Sequence, residues 1–130
     1  MIGMNTFLTL TDNSGVTRIK CIKFYKKTIK SKINIKDKFI GVLTKVKLNK
    51  QRISVKLKNI HRRDKKQGFL VRTKKKIYRC DRSSIKFFDN KAILIDKKNK
   101  PLATRIKGVI PREFREKKTI KIVLLARHLV

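Results

Sequence analysis

The residues in this 130-residue chain best suited to do chemistry are cations. Arg72-Thr73-Lys74-Lys75-Lys76 forms a basic run, with Arg79 and Arg82 just beyond it. Laid along a strand end, such a run can set several charges against one phosphate backbone. Each phosphate neutralised steepens the dependence of log affinity on log salt by about 0.7 to 0.9. Arginine grips phosphate through a planar fork, whereas lysine acts as a point charge. Arg18, Arg72, Arg105, Arg112 and Arg115 are therefore the first candidates, with Lys20, Lys23, Lys74, Lys75 and Arg79 beside them.

Catalysis has no comparable set. His61 and His128 lie far apart, each beside arginine, with no cysteine or carboxylate at metal-ligand spacing, so no metal site is expected. The eight carboxylates are scattered rather than paired: Asp12, Asp81 and Asp89 sit in turn sequences, and Glu113 and Glu116 near a helix start, where negative charge is favourable. The glycines cannot compose a dinucleotide loop or a P-loop. The residues thus point to no enzyme and no cofactor. Cys21 and Cys80 are too few for a disulfide framework and are expected as buried or half-buried thiols.

The whole chain shares the bias of its basic run. Thirty-eight Lys and Arg stand against eight Asp and Glu, a formal charge of +30. A domain of this length has a radius of gyration of about 14 Å, so its surface charges lie within one or two Debye lengths of each other and repel. Such a chain is suited to lie against a polyanion. Its cations are interleaved with Ile, Val, Leu and Phe, unlike a basic tail on a neutral domain, which points to a folded domain embedded in nucleic acid. Lys outnumbers Arg 27 to 11, and Lys, Ile, Asn and Phe, whose codons are A/T-rich, are abundant, so codon drift accounts for part of the charge. No apolar run reaches the ~18 residues of a membrane helix.

One domain over residues 1–130 is expected, with a small, mostly aliphatic core to which the phenylalanines contribute. Period-two alternation predicts strands over 7–10, 18–25, 39–47, 52–58, 69–74, 77–79, 85–88 and 92–96. In the clearest, Ile53, Val55 and Leu57 share one face and basic residues the other. Turn sequences at 12–15, 81–84, 89–90 and 97–101 separate many of them, which predicts a mainly β fold built as a small closed barrel over about 1–100. Residues 26–38 read as a long loop or exposed hairpin. Pro111 fits the first turn of a short helix through Glu116, and 120–127 reads as a second short helix or strand that packs Ile120, Val123, Leu124 and Leu125 on the barrel.

Four motifs, in order and in register, carry a resemblance. TFLTLTDNSGVTRIKCIK at 6–23 resembles the N-terminal signature of the universal L-fourteen family of large-subunit ribosomal proteins. LVRTKK at 70–75 is similar to its basic strand, and IKFFDN at 85–90 to its I-R-F-D-D-N turn. Thr104-Arg105-Ile106, Gly108 and Arg112-Glu113 fall on its T-R-I-x-G-P-V-x-R-E pattern. Departures are Ala103 for Gly, Val109 for Pro, and Phe88 and Lys91 around Asp89, while 26–66 matches poorly.

The resemblance implies a five-stranded OB-like β-barrel with a projecting hairpin and short C-terminal helices. It implies a structural role in the large subunit, binding to large-subunit rRNA, and intersubunit bridges with small-subunit rRNA. It also implies neighbours, ribosomal proteins L-nineteen and L-three, and a silencing-factor surface at Thr104, Arg105 and Lys121. With the A/T-driven composition and no leader before the family's own start, the expected setting is a mitochondrial ribosome, with a plastid or A/T-rich bacterium as alternatives. The rival reading is a free OB-type single-strand binder, which requires exposed aromatic platforms. An RNA-modifying enzyme is the third.

Overall fold

The computed structural model describes residues 2–25, 33–47 and 60–130. The expected strand over 52–58 and most of the segment 26–38 lie outside the described residues. Five strands close into a barrel in the order β1 (Phe7–Leu10), β2 (Val16–Phe24), β3 (Lys38–Val46), β4 (Lys65–Arg72) and β7 (Lys91–Ile95). All neighbours are antiparallel except the closing pair, where β1 runs parallel to β7 through Thr9↔Lys91 and Leu10↔Ala92. The mainly β, closed five-stranded barrel is the fold the sequence predicts.

Alternation decides which face each strand buries. In β1 Leu8 points inward and Phe7 and Thr9 outward; in β3 Phe39, Gly41 and Leu43 point inward. Strand β2 keeps Val16, Ile19, Cys21 and Phe24 inside only by way of register shifts against β3, which reset the alternation twice. Strands β4 and β7 behave differently, because both of their faces are covered. Leu70, Ala92 and Leu94 pack in the barrel interior with Leu8, Ile19 and Phe39. Phe69, Val71, Ile93 and Ile95 face the other way, onto Ile106, Ile110, Phe114 and Ile122. That double coverage explains the unbroken apolar run of 92–95.

The second cluster is closed by the C-terminal segment, where the structure departs from expectation. Strand β8 (Ile106–Ile110) pairs in parallel with β9 (Ala126–Leu129), and residues between them form the crossover: a 3-10 turn at Arg112–Phe114 and a short helix, α1 (Ile120–Leu124). Residues 120–127 thus hold both a helix and a strand. Of the apolar residues expected to pack there, Ile120 and Leu124 are exposed, Leu124 at 76%. Ile122 is the fully buried one, with Val123 and Leu125 half-buried against the same cluster. The expected helix after Pro111 is a single 3-10 turn, whose Phe114 meets Phe69 edge-on at 6.3 Å.

Two smaller expectations also change. Cys21 is buried, and burial pushes its thiol up to about 11, but Cys80 is exposed. Phe24, Phe39, Phe69 and Phe114 are core, whereas Phe7 and Phe88 are not, and Phe88 is 96% exposed. Cys80 lies in the loop, and Phe88 just after the second strand, of a two-stranded hairpin outside the barrel sheet, β5 (Ile77–Tyr78) with β6 (Ser84–Ile85).

Strand β8 bends at Gly108, where φ is +82° and the pairing with β9 shifts register. A Cβ at this position would run into the Arg72 guanidinium. Gly108→Ala therefore combines left-handed strain with a clash and should cost about 1 to 3 kcal/mol in chemical denaturation. Gly3→Ala, which meets nothing within 4 Å, should change the midpoint little and serves as the comparison.

Candidate nucleic-acid interface

The Asp12 to Gly15 turn does more than reverse the chain. Gly15 takes φ +80°, as a tight turn there requires. Asp12 is buried; its carboxylate accepts from Ser14 N at 3.2 Å, from the Ser14 hydroxyl, and from Leu94 N of β7 at 2.9 Å. Burial raises its pKa, and these hydrogen bonds oppose the rise. Asn13 faces the other way. Its Oδ1 accepts from Thr104 N and Arg105 N, both at 3.0 Å, and its Nδ2 donates to Thr104 Oγ1 at 2.9 Å. The first motif therefore fixes the backbone that presents Thr104 and Arg105, both exposed. Lys121, also exposed, sits on α1, and Leu125 at the end of that helix accepts from Ile106 N at 3.2 Å.

Arg72 has a different position from the free phosphate cation its type suggests. Its side chain is 12% exposed and its guanidinium is surrounded by acceptors from the protein itself. Nε donates to Val109 O at 2.9 Å, Nη2 to Lys107 O at 2.6 Å and Thr11 Oγ1 at 3.2 Å, and Nη1 reaches Asp89 Oδ2 at 3.5 Å. The same acid lies 3.4 Å from Lys91 Nζ. Arg79 is similarly engaged: it grips Glu113 with Nε at 2.6 Å and Nη2 at 3.0 Å, and donates from Nη2 to Val130 O at 2.8 Å. Arg112 pairs with Asp81, so two ion pairs latch the β5–β6 hairpin to the 3-10 turn.

The remaining candidates are presented outward. Arg18 and Lys23 are exposed on β2, with Lys20 half-buried between them; Lys74 and Lys75 are exposed after β4; Arg105 and Arg115 are exposed in the C-terminal segment. The loop after β4 is set by Lys74 N, which donates to Asn90 Oδ1 at 2.8 Å. Sequence reasoning passed over Phe7, Lys45 and Arg62, which the barrel brings to Arg18. These residues line a groove of about 370 Å3 together with Thr44 and Val46. Residue spacing carries no sign of this groove, because it depends on the pairing of β1 with β2 and of β2 with β3. The alternation of 7–10 did carry one signal: with Leu8 and Leu10 on the inner face, Phe7 has to look out. Among the described residues, no three His, Cys, Asp or Glu side chains are placed to share a metal ion.

The four motifs thus converge in space: Arg72 from the second joins Asp89 from the third and Lys107 and Val109 from the fourth, beside Thr11 from the first. Comparison with known families agrees with that convergence. The model of the family described as ribosomal protein L14p/L23e matches residues 1–130, the whole length of the chain. The chain belongs to this family. It is a large-subunit ribosomal protein, and L14p/L23e is a structural family rather than an enzyme family. In this L14p/L23e member the poorly matching stretch 26–66 contains the whole of β3 and ends on the first two residues of β4.

The latch between Arg79 and Glu113 is open to test by pH. Burial raises the Glu113 pKa, but the Arg79 hydrogen bond and charge outweigh it and leave the value below the ordinary 4.5. A carboxyl depressed in the folded state adds stability above its unfolded value and loses it as pH falls through the folded one. Asp81 is drawn down as well, to about 2, by Ser83 and then Arg112. Asp12, shifted upward, has the opposite sign and is common to both proteins compared. Glu113→Gln should cost about 1 kcal/mol at neutral pH and flatten the loss of stability below pH 4.5, measured by thermal unfolding across pH.

Proposed function

We propose that this protein binds large-subunit rRNA as a scaffold and contributes to intersubunit bridges with small-subunit rRNA during translation. One observation carries the reading: all eight carboxylates have internal partners, while most of the candidate cations on β2, after β4 and in the C-terminal segment face outward. An outward field of this sign needs phosphate to neutralise it. Arg18, Lys20, Lys23, Lys74, Lys75, Arg105 and Arg115 are the cations we assign to RNA. Arg72, Arg79 and Arg112 act one step back, holding the elements that present them.

The exposed Thr104, Arg105 and Lys121 are the positions we assign to a silencing factor, and ribosomal proteins L-nineteen and L-three are the proposed protein neighbours. The A/T-driven composition favours a mitochondrial ribosome over a plastid or bacterial one. The mechanism in every case is electrostatic and steric: a rigid barrel neutralises phosphate that would otherwise repel and holds the surrounding RNA at a fixed spacing.

Sedimentation of lysate at low and high salt tests the assignment. The chain should migrate with the large subunit well above physiological salt, and a free pool without subunit association would overturn the reading. For purified protein on large-subunit rRNA, Lys74→Ala with Lys75→Ala should reduce the slope of log affinity against log salt by about 1.5, two phosphate contacts' worth.

A further inference from the structure

The outer face of β1, β2 and β3 carries a groove that differs from a plain basic surface. Arg18, Lys45 and Arg62 contribute three cations to its lining, Phe7 and Val46 supply apolar surface, and no carboxylate is among the described residues that line it. Phe7 is 48% exposed, which strands much of an aromatic ring in water. The Arg18 guanidinium carbon lies 3.9 Å from the centre of that ring, with Lys20 Nζ at 6.0 Å. Cation and ring thus hold each other in place.

The walls are fixed by backbone rather than by chance side-chain positions. Thr44 Oγ1 donates to Arg18 O at 3.1 Å, and Thr17 Oγ1 to Lys45 O at 3.1 Å, across a stretch where β2 and β3 shift register. Arg62 is carried on a closed turn: His61 N donates to Asp64 Oδ2 at 2.9 Å, Asp64 N to His61 O at 3.3 Å, and Arg63 N to Leu43 O of β3 at 2.8 Å. A volume of about 370 Å3 is at the scale of a single small ligand.

Resting on the reading that the chain binds ribosomal RNA, we infer that this groove takes one unpaired nucleotide of that RNA. Its base packs against the Phe7 and Arg18 pair, and its flanking phosphates meet Lys45 and Arg62. A duplex presents its bases stacked and paired and cannot offer one to the ring, whereas an unpaired base can stack on both aromatic and guanidinium planes. An acidic peptide would satisfy the cations but leave the ring without a planar partner. Single-strand binding on the strand faces of small barrels follows the same physics.

The test uses the full chain with a labelled oligouridylate and, separately, a blunt RNA duplex. Phe7→Leu keeps apolar bulk and removes the ring; it should weaken oligouridylate binding about ten-fold and leave duplex binding unchanged. Lys45→Glu, which leaves the ring in place and reverses a charge given to a flanking phosphate, should weaken both probes and lower the salt slope. Equal losses for Phe7→Leu on both probes, or none on either, would overturn the inference, provided thermal unfolding shows the variant folded; if it is not, Phe7→Tyr, which keeps a ring, must retain oligouridylate affinity. In the assembled large subunit, a density map should place a base against Phe7. Protein or solvent there, with the chain still in the subunit, sinks this inference alone, whereas a chain missing from the subunit sinks the reading beneath it.

Discussion

Positive charge in excess sets the terms for everything else in this fold. A chain at +30 gains nothing from adding one more surface cation to itself, and its eight carboxylates are too few to neutralise the field. They are used instead where geometry matters. Asp12, Asp37, Asp64 and Asp96 accept from backbone N–H groups of turns and of β7. Asp81, Asp89, Glu113 and Glu116 each pair with a cation that joins two separate elements. The acids therefore define the architecture and leave the outer face to the cations. An arrangement of this kind folds with little internal neutralisation and relies on its surroundings for the rest.

Arg72 is the point at which the elements meet. It leaves the end of β4, reaches two carbonyls of β8 and the Thr11 hydroxyl beside β1, and touches Asp89 in the turn before β7. Gly108 has to lack a side chain for the guanidinium to fit. A largely buried guanidinium with four of its five N–H groups bonded within the protein is costly to leave half-satisfied, so the four segments are constrained together rather than one by one. Four sequence motifs separated by tens of residues thus report a single physical requirement. Residue type alone presents Arg72 as a phosphate ligand; only the position of its acceptors shows that it acts within the protein.

Legibility in the sequence followed the range of the interaction involved. Strands β1, β3 and β7 could be read because their alternation, or its absence in β7, reflects burial by immediate neighbours. The 12–15 turn could be read because Asp, Asn and Gly act within a few residues, although the reach of Asn13 to Thr104 could not. Strand β8 escaped notice since Gly108 breaks its period, and its parallel partner β9 lies beyond a crossover that hides the pairing. Ile122 was missed for a related reason: a helix of five residues is too short to display a period, and its buried side was decided by the barrel beneath it. The groove at Phe7 was further still from view, for it exists only once two strand registers, one of them irregular, are fixed.

The two faces of the barrel wall have been put to different uses. Outside β4 and β7, the wall is covered by β8, the 3-10 turn and α1, with Phe69, Ile93 and Ile95 sealed under Phe114 and Ile122. Outside β1, β2 and β3, no such cover appears among the described residues, and the side chains there include Phe7, Arg18, Lys20, Lys23 and Lys45 beside Ile22, Ile40 and Val42. A sheet that buries one exterior face in its own chain becomes rigid on the side that stays open, because β4 and β7 cannot shift without disturbing both clusters. Rigidity of that kind has a direct bearing on RNA binding. A cation held at a fixed place loses less conformational freedom on meeting phosphate than one on a mobile arm, so more of each contact survives as affinity. The covered half of the barrel in this way supports what the open half can bind.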